Sequence, residues 1–180
     1  MKEIRIHGRG GQGSVLAAEL LAVAAFEAGR YGQAFPVFGG ERRGAPVQAF
    51  VRIADEPIRL RTRVQRPDYV IVQDLSLLAT VDVCEGLRAN GLLVANAEGA
   101  PAVAWPDGVR VRSVPALRIA LQVFGRPFLN PSMLGAFAAA TEEIRLESIQ
   151  RAFRSRFPGE LGDKNALAAQ LAYERVKGDA

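Results

Sequence analysis

The sequence predicts an α/β fold: a Rossmann-like, open, mostly parallel sheet with flanking helices and a helical C-terminal segment. Three observations carry that prediction. A short strand pattern at residues 3–7 runs into Gly8-Arg9-Gly10-Gly11-Gln12-Gly13, and a helical stretch follows at 14–28. Strand, glycine turn and helix open a βαβ unit. Residues 68–74 (Asp68-Tyr69-Val70-Ile71-Val72-Gln73-Asp74) form the near-continuous apolar run that a buried parallel strand shows. The last third of the chain takes on helical spacing.

The elements follow in order. Ser14 stands where the first helix needs its N-cap, and Gly29 stands at C′, ready to close it. Residues 33–38 read as a second strand and 46–54 as a third, with Asp55-Glu56-Pro57 as its turn. A helix is expected over 76–89, a strand over 92–95 after the Asn90-Gly91 turn, and a strand over 109–114. Helices are expected at 115–124, 131–140, 142–156 and 163–177, broken at Gly125-Arg126-Pro127, at Thr141 and at Pro158-Gly159. The expectation is one domain over 1–180, with a sheet layer over 1–114 and a mainly helical part over 115–180.

Composition narrows the chemistry. With 180 residues, 49% hydrophobic and 23% charged, the chain is globular rather than disordered. Its net charge of +4 is scattered and lacks an aromatic-studded basic stripe, so no nucleic-acid partner is expected. A single cysteine excludes an internal disulfide, a self-contained iron–sulfur cluster and a four-cysteine zinc site. With a single histidine as well, no metal ligand and no catalytic residue is assigned. Met1 to Ile6 is a charged strand pattern, not a signal peptide. The longest apolar stretch, 15–28, is broken by Glu19 and Glu27 and falls short of the roughly 20 residues a span needs. The expected location is therefore cytoplasmic, with no membrane partner.

Gly8, Gly10 and Gly13 satisfy a G-x-G-x-x-G spacing between a strand and a helix. Such a loop lets backbone approach a phosphate, and the helix N-terminus aims free amides at it. The alternative is a glycine turn that only permits close strand–helix packing. A nicotinamide site would want an acidic residue about 20 positions on, ending the second strand, and a Walker loop would want Gly-Lys-Ser/Thr. Neither is present; Glu41 is nearby, but inside a basic loop. That loop, Gly39-Gly40-Glu41-Arg42-Arg43-Gly44, ends the second strand, which puts it on the same sheet edge as the first glycine loop. Arg42 and Arg43 would complete an anion site there; the alternatives are a solvated surface loop or a subunit contact through arginine–carboxylate pairs. Several further residues carry a structural reading beside a functional one. His7 reads as a neutral core-edge histidine, Cys84 as a buried apolar residue within a helix and Asp74 as a cap. Asn130 precedes Pro131 in the N-cap-then-proline pattern, Asn165 lies near the start of the last helix, and Ser14 reads as a cap rather than a nucleophile.

Taken together, these segments resemble the gamma subunit of the 2-oxoacid:ferredoxin (acceptor) oxidoreductases, the pyruvate:ferredoxin oxidoreductase group. Residues 8–13 match the family's Gly-Gly-Gln-Gly loop. Phe38 to Gly44 match its Tyr-Gly-x-Glu-x-Arg-Gly signature, with Phe38 for tyrosine and with Gly40 where proline is common. Arg66 to Val70 match the Pro-Asp strand entry, and Leu87 to Asn96 a Leu-x-x-Gly-Gly segment with Asn90 for the first glycine. Asn130 to Ala136 and Asn165 to Glu174 match the two closing motifs. The resemblance implies a subunit of a complex that oxidatively decarboxylates a 2-oxoacid to acyl-CoA and CO2. It implies coenzyme A at or near this chain, with thiamine diphosphate, Mg2+ and [4Fe-4S] clusters in partner subunits. The implied partners are alpha, beta and delta-type subunits and ferredoxin or a flavin/NAD-linked acceptor. It carries Gly10, Gly11, Gln12, Gly13 and Ser14 over as pyrophosphate contacts, and Arg42 and Arg43 as phosphate contacts. Asn130 and Asn165 carry over as hydrogen-bonding partners of the adenosine or pantetheine portion. Two alternatives stand beside it: a non-catalytic structural or nucleotide-sensing subunit, and an NAD-binding Rossmann module.

Overall fold

The computed structural model describes residues 1–36, 43–99, 103 and 105–179. Six strands form one sheet: β1 (Lys2–Arg9), β2 (Tyr31–Pro36), β3 (Pro46–Ala54), β4 (Tyr69–Val72), β5 (Leu92–Asn96) and β6 (Arg110–Val114). Their order is β2-β3-β1-β4-β5-β6. β3 runs antiparallel to both neighbours, while the β1–β4, β4–β5 and β5–β6 ladders are parallel. Five strands therefore point one way, as a mostly parallel sheet requires. Arg9 at the end of β1 pairs with Pro46, and Pro36 at the end of β2 pairs with Ala49. The loops after β1 and β2 thus leave from one edge. The second strand starts earlier than expected, and positions 37 and 38 lie outside the described residues.

The five α-helices are α1 (Ser14–Glu27), α2 (Ala116–Phe124), α3 (Asn130–Thr141), α4 (Leu146–Arg156) and α5 (Glu160–Gly178). All five lie on one side of the sheet: α1, α3 and α5 pack on it, and α2 and α4 pack against those helices. Alternation along β1 explains how: Ile4 and Ile6 join Ala49, Val51, Ile71 and Val94 in a core that takes residues from every α-helix. Small side chains set the helix spacing. A Cβ on Gly135 of α3 would strike the backbone of Ala169 in α5, so glycine there permits the two helices to touch. α1 ends in a Schellman motif: Gly29 (φ 75°) donates to Phe26 O at 2.9 Å and Arg30 donates to Ala25 O at 2.9 Å. The Gly29 stop is where the sequence puts it. No helix among the described residues is long and apolar enough to cross a membrane.

The opposite face is covered by irregular chain. Val70, Val72, Leu93 and Ala95 pack there against Val83, Leu75, Leu78 and Trp105. The helix expected over 76–89 does not form. A 3-10 turn, Leu75–Ala79, is followed by loops and turns, and Gly86 takes φ 68°. Thr80, Val81 and Val83 are β-branched and poor helix formers, and Asp82 Oδ1 accepts the Cys84 amide at 3.0 Å, which offers the backbone a turn instead. Cys84 thus sits half-buried in a turn rather than within a helix, and burial raises its thiol pKa. The last helix begins at Glu160, three residues before the expected start, and the expected 142–156 helix begins at Leu146.

Candidate functional site

The glycine loop is a turn between the end of β1 and the start of α1. Gln12 donates its amide to Arg9 O at 2.9 Å, with Gly11 at φ 96°, the left-handed position of a tight turn. Gly13, at φ 81°, is the N-cap of α1, so the first-turn amides at Ser14, Val15 and Leu16 have no intrahelical partner. No acidic side chain sits in that turn, so the positive end of the helix is not neutralised from within.

Ser14 is not the cap that the sequence suggested. It lies inside the helix, and its hydroxyl donates to Gln73 Oε1 at 2.7 Å in a buried setting. Gln73 Nε2 donates to Asn130 Oδ1 at 2.6 Å, and Asn130 Nδ2 donates to the Gly13 carbonyl at 3.0 Å. Asn130 is likewise not an N-cap, because Leu129 takes that position and the Asn130 side chain reaches the glycine loop instead. One chain of bonds therefore ties the end of β4, the start of α3 and the loop before α1. A Cβ on Gly13 would come within 2.8 Å of Asn130 Nδ2, so this loop position has no room for a side chain.

The outer side of the loop is fixed by Arg9 and Gln12. Arg9 donates to Gly44 O at 2.9 Å and to Ser76 Oγ at 2.7 Å, and pairs with Asp74 at 3.2 Å. Gln12 accepts the Arg9 amide at 2.7 Å and donates to Asp74 Oδ2 at 3.1 Å. Asp74 caps the 3-10 turn through the Ser76 amide, as the cap reading expected. Burial pushes its carboxyl up, but Ser76, Gln12 and Arg9 outweigh that and hold it below the ordinary value. The backbone joins in: Gly10 donates to Ala45 O at 2.8 Å and Gly44 donates to Gly10 O at 3.0 Å. The structure thus links the end of the arginine loop to the glycine loop. Arg43 is exposed beside the glycine loop; Arg42 lies outside the described residues.

Two clefts meet at Gly11, Gln12 and Gly13. The first, about 710 Å³, is bounded by residues 9–15, Arg43 and Val47. The second, about 300 Å³, is mostly apolar and lies between the loop, Pro127 to Pro131, Phe153, Phe157, Leu161 and Asn165. Asn165 is buried one turn into α5, and its Nδ2 donates to Leu161 O at 2.6 Å, leaving its Oδ1 without a bond among the described residues. Gly10 to Ser14 and Arg43 therefore gather at the first cleft, while Asn130 and Asn165 gather at the second. His7 is 1% exposed near the end of β1, and its Nε2 has no hydrogen-bond partner among the described residues. Burial, then the charge of Arg5, pushes its pKa down to about 3, in keeping with a neutral histidine.

Sequence reasoning missed Gln73 and the contacts of Arg9. Gln73 had one visible signal, an amide closing an otherwise apolar strand run. Arg9 had none beyond its place among glycines.

Comparisons with known proteins agree over almost the whole chain. The sequence profile described as pyruvate ferredoxin/flavodoxin oxidoreductase matches residues 3–175. The pyruvate synthase subunit PorC of Methanosarcina barkeri is 57% identical over 180 residues, covering 99% of both chains. The pyruvate/ketoisovalerate oxidoreductases common subunit gamma of Thermococcus litoralis is 50% identical, covering 98% of this chain and 97% of its own. The crystal structure of pyruvate oxidoreductase subunit PORC from Thermotoga maritima superposes with a TM-score of 0.81 at 40% identity, covering 96% and 95% of the two chains. A 2-oxoglutarate:ferredoxin oxidoreductase from Magnetococcus marinus, solved with 2-oxoglutarate, coenzyme A and succinyl-CoA bound, shares the fold at a TM-score of 0.79 and 19% identity. That match covers 99% of this chain and 31% of the larger one.

Proposed function

The chain belongs to the pyruvate ferredoxin/flavodoxin oxidoreductase family, and on that premise we propose that it is the gamma-type subunit of a 2-oxoacid:acceptor oxidoreductase and helps bind coenzyme A. The observation that carries this reading is the meeting of two clefts at Gly11–Gly13, one flanked by the α1 N-terminus, Arg9 and Arg43, the other lined mostly by apolar side chains. Coenzyme A has that same division: a pyrophosphate, and an adenosine and pantetheine that are larger and less polar.

In this reading the first-turn amides of α1 and the backbone of Gly10 to Gly13 hold the pyrophosphate, because a helix N-terminus favours negative charge. Arg43 adds positive charge at the mouth, and Arg42 is proposed as a second phosphate contact. The second cleft takes the less polar portion, where Asn165 and Asn130 have hydrogen-bonding capacity left over. The Gln73 bridge keeps the loop in place for that contact. Thiamine diphosphate with Mg2+ and [4Fe-4S] clusters in partner subunits would supply decarboxylation and electron transfer, consistent with a chain that has one cysteine. This chain would present the thiol of coenzyme A to the acyl group formed there. The alpha, beta and delta-type subunits and a ferredoxin or flavin/NAD-linked acceptor complete the proposed assembly.

The test is anaerobic purification with the co-expressed subunits, followed by 2-oxoacid-dependent acceptor reduction at varied coenzyme A. Arg43→Glu is expected to raise the KM for coenzyme A about tenfold or more, since a charge-assisted hydrogen bond is worth roughly 1.5–3 kcal/mol, with assembly intact. Lost assembly with an unchanged KM would replace this reading with a purely structural subunit. NAD binding by the chain alone would favour the dehydrogenase-like module.

A further inference from the structure

Residues 57–66 (Pro57-Ile58-Arg59-Leu60-Arg61-Thr62-Arg63-Val64-Gln65-Arg66) contain four arginines and no acid. That concentrates in ten residues a charge equal to the formal net charge of the whole chain, +4. Arg59, Arg61, Arg63 and Arg66 are all exposed. None of them forms an ion pair among the described residues, although eight other arginines do. Asp55 and Glu56 lie on the far side of Pro57, and Asp55 is already held by Arg30 at 2.7 Å.

The segment has no regular secondary structure, yet it is firmly held. Arg52 of β3 is 1% exposed; it pairs with Glu3 at 2.9 Å, and its other nitrogens donate to Thr62 O at 2.7 Å and Leu60 O at 3.4 Å. Val64 is buried, the Arg88 amide donates to Pro67 O at 3.0 Å, and the Gly86 turn lies against the Gln65 carbonyl. A buried cation thus fixes the backbone on which the exposed cations stand.

Such a strip is set up for binding, because holding its backbone removes an ordering cost that association would otherwise carry. The composition selects the partner. Arginine forks match carboxylates in two-point contacts, and protein interfaces are enriched in arginine and depleted in lysine, which the strip lacks. No aromatic side chain is present for base stacking. Leu60, 49% exposed, adds an apolar contact among the charges.

We propose that residues 57–66 dock this chain onto a carboxylate-rich surface of a neighbouring subunit, an inference that rests on the subunit reading above. The experiment co-expresses all subunits with the wild-type chain, with R59E/R61E/R63E and with R59K/R61K/R63K, and measures the fraction of this chain that co-elutes as salt is raised from about 0.05 to 0.5 M. The wild-type complex should weaken with salt. The glutamate variant should associate at least tenfold more weakly and lose the salt dependence, and the lysine variant should fall between. Each variant's thermal melt, taken on the chain alone, should stay at the wild-type value because the three side chains are exposed and unpaired. Equal assembly of wild type and glutamate variant overturns the docking role and leaves the subunit reading standing. A wild-type chain that never co-elutes overturns both. Strip-dependent binding to heparin or to a second copy of this chain, with assembly unaffected, assigns the strip elsewhere and overturns the proposal.

Discussion

Replacing Gln73 with methionine removes two buried hydrogen bonds at nearly constant volume. Gln73 accepts from Ser14 Oγ at 2.7 Å and donates to Asn130 Oδ1 at 2.6 Å. Methionine leaves that hydroxyl and that carbonyl buried without those partners, each at about 1–3 kcal/mol. The expected loss is therefore about 2–6 kcal/mol, a large share of the 5–15 kcal/mol typical of a domain. With a urea slope of about 1–3 kcal/mol/M, the midpoint should fall by about 0.7 M or more. Urea titration followed by circular dichroism measures it, with Ser14→Ala and the double variant completing a cycle. Ser14→Ala removes one of the stranded groups beforehand, so the double variant should cost less than the two single changes summed, by about 1 kcal/mol or more. A Gln73→Met chain within 0.5 kcal/mol of wild type, on the scale of a neutral surface change, or strictly additive single changes, would refute the idea that this bridge holds the loop.

Two further perturbations test the fold around the site. His7 has a depressed pKa of about 3 in the folded chain against 6.5 ordinarily, so below pH 6.5 the unfolded chain binds a proton that the folded chain refuses. Its effect on stability is absent above pH 6.5 and grows unfavourably as pH falls toward 3, by about 1.4 kcal/mol per unit. His7→Leu should flatten the wild-type decline between pH 7 and 4.5, and parallel pH profiles for the two proteins would contradict the assignment. Arg52→Leu leaves Glu3 only Arg88, at 3.6 Å, and releases the Leu60 and Thr62 carbonyls; the charge-assisted bond to Glu3 alone is worth about 1.5–3 kcal/mol. Trypsin should then cut after Arg59, Arg61 or Arg63 much faster than in the wild type, and unchanged cutting would show that Arg52 does not hold the segment.

Much of this architecture was legible because its signals are local. The glycine loop between Ile6 and Val15, the Gly29 stop and the apolar run of β4 each follow from the conformational or hydrophobic character of a few adjacent residues. The failures are of another kind. The 76–89 segment has helical-looking apolar spacing, but Asp74 and Asp82 bond nearby backbone amides and the β-branched residues between them do not favour a helix. Ser14 and Asn130 both read as caps because caps are the nearest use for such side chains. The structure gives them a common partner in Gln73, 59 and 57 positions away, and no local pattern announces that. The burial of Arg52 is equally silent, since an arginine in a strand reads as solvent-facing until Glu3 and the 60–62 carbonyls are seen around it.

The position of β1 has a consequence for the order in which the chain acquires structure during synthesis. β1 precedes the other strands in sequence yet lies third in the sheet, between β3 and β4. Its antiparallel partner is complete only at Ala54 and its parallel partner only at Val72. Until then, Ile4 and Ile6 have only α1 to shelter against, and the polar edges of the strand remain unpaired. α5 ends at Gly178 and buries Ala168, Ala169, Ala172 and Val176 against the core, so the helical layer closes only once α5 has been made. A released fragment that ends before Pro46 should therefore leave both edges of β1 unpaired, whereas one that includes Val72 can pair both. Loss of the final two turns of α5 should reopen the core of a molecule whose sheet is already formed.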